Sequence, residues 1–152
     1  NPIFEQDNPI DKSRIVTDDY LDSVGEALVK NAIVAESLGF DGADIKSCHR
    51  YLLSEILSAY ERDGRYGGSF ENRTRLLTTA VGEARNATNK DFIITSRLNV
   101  YDGFEYPYGF SVKPGEGITP DFTEAKQLCK NLVAKGTDSL NFFLRIVAEN
   151  FL

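Results

Sequence analysis

A helix, a glycine and an apolar strand follow one another almost without connection twice in this chain, at 20–46 and at 122–144. A further helix–strand pair lies between them. In the first unit Leu21, Val24, Leu28, Ala32, Ala35 and Leu38 recur at the spacing of one buried helical face. Thr17 is placed to cap that helix, and Asp18 and Asp19 suit the positive end of its dipole. Gly39 can take positive φ and stop it, and Asp41–Lys46 reads as the strand. The second helix begins near Glu71 and keeps Leu76, Leu77, Ala80, Val81 and Ala84 inside, and Phe92–Leu98 is a β-branched strand with a polar end. The third helix, with Thr123 as its cap, uses Ala125, Leu128, Cys129, Leu132 and Val133, ends at Gly136, and leads into a strand over Thr137–Leu144. Loops after helices are short, whereas loops after strands are long and polar. Parallel helix–strand units produce that asymmetry when one rim of the sheet carries the site.

The expected fold class is therefore α/β. Three such units cannot close a barrel, and a parallel sheet normally has both faces covered. The chain reads as the central portion of a larger (β/α)8 barrel, incomplete, with 1–19 as an N-terminal loop. The absence of any Met, and an apolar tail running to Leu152, point the same way, to a fragment or a processed product.

Composition excludes several functions. A net charge of −6 argues against a nucleic-acid or anionic-membrane partner, since phosphate binding needs clustered cations. No apolar run approaches the roughly 20 residues that span a bilayer. Cys48 and Cys129 are far apart and lack a CxxC partner, so neither a disulfide framework nor a metal site is indicated. A reduced, cytoplasmic domain is the expectation.

The chemistry-bearing residues collect after the first strand. Lys46-Ser47-Cys48-His49-Arg50-Tyr51 is a polar tip holding the sole histidine, followed by a short apolar helix and the loop Asp63-Gly64-Arg65-Tyr66-Gly67-Gly68-Ser69. Side chains at the C-terminal ends of parallel strands are where ligands meet such folds. The blander readings are a backbone-capping His49, a core aromatic at Tyr51, a solvated Lys46 and an ion-paired Arg97. Gly67-Gly68 lacks a P-loop lysine or GxGxxG context, so a tight turn is favoured over a phosphate cradle. Cys48 reads as a small buried filler. The aromatic run 101–110 reads as either a cover over ligand or packing over the rim.

GFDGADIKSCHRYLLSEILSAY, RYGGSFENRTRL and DFIITSRLNVYDG, in that order, resemble the old yellow enzyme family, the NADH:flavin oxidoreductase group that includes 2,4-dienoyl-CoA reductases. The resemblance covers about Asp11 to Leu140. It implies an FMN-bearing (β/α)8 barrel that reduces activated C=C bonds of small enone or enoate substrates with electrons from NAD(P)H. It places substrate-anion contacts at Lys46 and His49, the proton donor at Tyr51, and a contact to the flavin pyrimidine edge at Arg97. The Tyr66–Arg73 motif is expected to shape its loop and lock the next helix. Lys46 stands where His is frequent and Arg50 where Gly is frequent. Segments that hold the isoalloxazine, the FMN phosphate or an iron–sulfur centre have no counterpart here, which implies a piece inactive alone. Homo-oligomerisation of the intact parent is left open. Two alternatives stand beside this reading: a non-catalytic truncated remnant, and a barrel aldolase or isomerase using Lys46 as a Schiff-base amine.

Overall fold

Thr17 opens the first helix as its sequence suggests: its hydroxyl accepts from the Tyr20 N–H, and helix α1 runs Asp18–Ser37. A computed structural model of the chain describes Ser13 and residues 15–144. Asp18 and Asp19 therefore belong to the helix, and the expected loop ends at its cap; its first twelve residues lie outside the described ones, as does the tail beyond Leu144. Gly39 adopts φ of +82° and turns the chain toward strand β1, Gly42–Asp44. β1 is shorter than the expected strand, because Lys46 onward leaves the regular ladder and only Ser47 makes a further parallel bridge, to Leu98.

A single-turn helix α2 (Leu52–Leu57) follows the polar tip. Helix α3 (Phe70–Ala87) is capped by the Ser69 hydroxyl, which accepts from the Asn72 N–H, and buries all five of its expected core residues. Strand β2 spans Ile93–Tyr101 and strand β3 spans Ser139–Leu144. Helix α4 (Thr123–Ala134) differs in its cap. Thr123 is its first helical residue, and the Asp121 carboxylate accepts from both its N–H and its hydroxyl. The carboxylate thus takes the acceptor role expected of Thr123, an aspartate being an equally good acceptor for these orphan donors. Leu38 and Val133, assigned to buried faces by spacing, are 70% and 61% exposed. Both sit at the C-terminal edge of a helix, where the apolar stripe has rotated past the sheet.

The three strands pair in parallel in the order β1-β2-β3. One face of the sheet is covered by the helices. Ile94, Ser96 and Leu98 point into it and are fully buried with Leu77, Val81, Leu128 and Leu132. The opposite face carries Asp44, Thr95 and Arg97, joined by hydrogen bonds from Thr95 and Arg97 to the two Asp44 oxygens. Alternation along a strand forces this division. The polar face is the one that a barrel turns inward.

Candidate active site

Strand register arranges the polar face in layers. Asp44 pairs with Thr95, which pairs with Ser139. The register on either side, Asp44 with Thr95 and Ser47 with Leu98, puts Lys46 opposite Arg97, and Arg97 pairs with Asn141. One step nearer the C-terminal end, Asn99 pairs with Phe143. His49 closes this last layer: its backbone N–H donates to Asn99 Oδ1 at 3.4 Å, and its ring meets Phe143 edge-on with centroids 4.9 Å apart. The fold thus brings Arg97, from a different unit, to the same end of one face as Lys46 and His49. Tyr51 joins them through its ring, over which Lys46 Nζ lies 3.6 Å from the centroid. A cation there is attracted by the negative face of the ring. Tyr51 is 64% exposed, which removes the core-aromatic reading and leaves its phenol open to a ligand.

Arg97 is fixed by one contact, Nε to Asp44 Oδ2 at 2.5 Å. That bond, and the Asp44 charge behind it, raise an already high pKa. Among the described residues its terminal nitrogens have no hydrogen-bonding partner, so they are left to donate across the face. Cys48, beside His49, is fully buried and its thiol is pushed up, mainly by burial; the filler reading holds. In the aromatic run, Phe104 and Phe110 are buried, and Tyr101 donates to the Ile118 carbonyl. Those residues pack over the rim.

The turn that presents His49 is strained. His49 and Arg50 both lie in the left-handed region, φ of +61° and +56°, a conformation uncommon for residues with a side chain, though His, like Asn and Asp, takes it more readily than Arg. At roughly 1–2 kcal/mol per residue, the pair costs about 2–4 kcal/mol. Its counterweight is a residue that sequence reasoning treated only as a departure from glycine. The Arg50 side chain is 4% exposed, and its guanidinium meets Asp102 at 2.6 Å, Glu55 at 2.8 Å and Ser58 Oγ at 3.1 Å. Its Nη1 makes two charge-assisted hydrogen bonds, to Asp102 and Ser58, of about 1.5–3 kcal/mol each that work against the cost of the turn. Nη2 meets Glu55 as an ion pair without a hydrogen bond. Asp102, completely buried, also accepts from Asn99 Nδ2 at 3.0 Å and from the Phe110 N–H at 3.1 Å. The available signal was the pair of polar residues, Asn99 and Asp102, interrupting an apolar strand end.

The glycine loop is scaffold. Gly67 runs so close to Arg62 that a Cβ would sit 2.0 Å from its carbonyl oxygen. Arg73, nearly inaccessible, donates to the Gly68 and Leu57 carbonyls and to Glu124, and stacks 3.9 Å over Tyr60. It locks loop, α2, α3 and α4 together.

The family model for the NADH:flavin oxidoreductase / NADH oxidase family matches residues 2–135. The chain belongs to that family. Among its relatives, an NADPH dehydrogenase of Clostridium acetobutylicum is 37% identical over 57% of this chain, and a NADH:flavin oxidoreductase of Gibberella zeae 36% over 68%. The chain spans about a quarter of the length of each, 24% in both cases. The old yellow enzyme homologue of Zymomonas mobilis superposes with a TM-score of 0.64 at 25% identity, over 89% of this chain and 36% of its own. The three helix–strand units thus correspond to part of the old yellow enzyme TIM barrel. The family implies a flavin, and among the described residues the terminal nitrogens of Arg97, on the inward face, keep free donors.

Proposed function

We propose that this end of the sheet is the substrate side of an FMN-dependent ene reductase, using NAD(P)H and acting on a small enone or enoate. The single observation that carries the reading is the convergence of Lys46, His49, Tyr51 and Arg97 on one polar face at the C-terminal rim. FMN, when bound, supplies the hydride. The chain's own residues would do the rest. Charge that develops on the substrate carbonyl oxygen needs donors already in place, and the imidazole of His49 and the ammonium of Lys46 would supply them. The adjacent carbon needs a proton, and the accessible Tyr51 hydroxyl can deliver it at its oxygen. The Lys46 ammonium over the Tyr51 ring would favour the phenolate left behind. Arg97 would donate to the flavin's pyrimidine edge and balance negative charge there. Residues 1–152 are read as one portion of a single barrel domain. Family membership favours this chemistry over a Schiff base at Lys46.

The test is optical and kinetic. The intact barrel protein of which we read this chain as a portion should, when loaded with FMN, be yellow, bleach with NAD(P)H and turn over a conjugated enone. His49→Ala should cut that turnover by about 10²-fold, the usual loss on removing one preorganised donor. A protein that takes up no FMN would contradict the reading.

A further inference from the structure

Arg50 is buried against Asp102, Glu55 and Ser58, yet the proposed chemistry leaves it without a task. We propose that Arg50 is a positioning residue, whose buried pair with Asp102 fixes the turn bearing His49 and Tyr51 and ties that turn to the loop over the rim. The contacts form a closed ring. Arg50 Nη1 donates to Asp102 Oδ2 at 2.6 Å, and Asn99 Nδ2 donates to Asp102 Oδ1 at 3.0 Å. The His49 N–H donates to Asn99 Oδ1 at 3.4 Å, and the peptide bond returns to Arg50. The same Asp102 carboxylate accepts from the Phe110 N–H, so it also anchors the far end of the 102–110 loop. Glu55 and Ser58 hold the guanidinium from α2.

A left-handed turn of two residues with side chains does not hold itself. Glycine at position 50 would adopt the turn freely but would supply no anchor. Arg50 trades that freedom for a fixed turn, and His49 is set against Phe143 as a consequence. Any displacement of the 102–110 loop is passed through Asp102 to His49. The claim about position stands on these contacts; its consequence for turnover rests on the ene-reductase reading.

His49 is the protein's only histidine, so its ring proton signals in NMR report this turn alone. The native protein should give one sharp set. Asp102→Asn, which keeps the shape and removes the charge, should split, broaden or shift that set while far-UV circular dichroism stays native. Arg50→Gly should do the same, and Arg50→Lys should largely restore the native signals. If Asp102→Asn fails to fold, the comparison of Arg50→Gly with Arg50→Lys carries the test. Unmoved His49 signals in a folded Asp102→Asn or Arg50→Gly protein would overturn the proposal, as would equal displacement in Arg50→Lys and Arg50→Gly. In the FMN-loaded intact barrel, Asp102→Asn should lower kcat for an enone at least about tenfold, as small misplacements of reacting groups do. It should leave the KM for NAD(P)H unchanged. Moved signals, together with an FMN-loaded intact barrel that reduces no enone even when native, would uphold the positioning role and remove the ene-reductase reading.

Discussion

At the scale of single residues, the two adjacent glycines of the 63–69 loop are there for different reasons and should fail differently. Gly68 has open space where a Cβ would go but adopts φ of +76°. Gly68→Ala should therefore cost about 1–2 kcal/mol in urea unfolding, the price of a left-handed L-residue. Gly67 has no positive φ; its Cβ would strike backbone, the Arg62 carbonyl oxygen at 2.0 Å and carbonyl carbon at 2.6 Å. Backbone cannot swing aside as a side chain can. Gly67→Ala should lose about 3 kcal/mol, the upper end for overpacking, and more than Gly68→Ala. A reversed order would show that the loop relaxes away from Arg62. Arg73→Met should be costlier again, about 3–5 kcal/mol, because Glu124 loses its buried partner and two carbonyls lose their donor.

At the scale of elements, α1 is tied to the glycine loop through charge. Asp18 accepts from the Arg65 N–H at 2.7 Å and from Arg62 at 2.6 Å, and these contacts, the backbone bond first, hold its carboxyl below the ordinary 3.8 despite partial burial. A depressed carboxylate binds fewer protons folded than unfolded. Its contribution is therefore complete above the unfolded value and is lost as pH falls through the folded one. Asp18→Asn should destabilise the protein at pH 7 and converge with the native protein well below pH 3.8, as acid-titrated thermal unfolding would show. A constant gap across that range would mean the charge is irrelevant. Helices, strands and their order were legible because a 3.6-residue stripe and a β-branched run are local patterns, and Thr17, Gly39 and Gly136 punctuate them clearly. The exposed ends at Leu38 and Val133 were not legible, since spacing along a helix does not say where the sheet beneath it stops. The cap at Asp121 was missed because two acceptors lay two residues apart.

At the scale of the whole molecule, parallel pairing converts chain order into spatial layers. Lys46, Arg97 and Asn141 come from three different units yet share one row, and His49 sits in the layer above. The candidate residues were found in the sequence by their likeness to a family, but the ring that holds them was not. Arg50, Asn99 and Asp102 are separated by about fifty positions, and only the strand register brings them together. Within the described residues no helix is long and apolar enough to cross a membrane, and no three side chains of His, Cys, Asp or Glu gather to hold a metal. Specificity should be readable at the same scale. If Lys46 contributes a fixed cation to the substrate oxygen, Lys46→Met should lower kcat/KM for a carboxylate-bearing enoate more than for its methyl ester. Equal losses would place Lys46 outside the substrate contact.

The most direct measurement is enone turnover by the FMN-loaded intact barrel protein carrying Tyr51→Phe, beside the bleaching of its absorbance by NAD(P)H. Removing one hydroxyl from an exposed ring leaves the packing untouched. A proton donor is worth about 10²–10⁴-fold. Turnover should fall at least about 10²-fold while the bleaching proceeds as in the native protein. Native turnover in Tyr51→Phe would contradict the assignment of this rim as the place where the substrate is protonated.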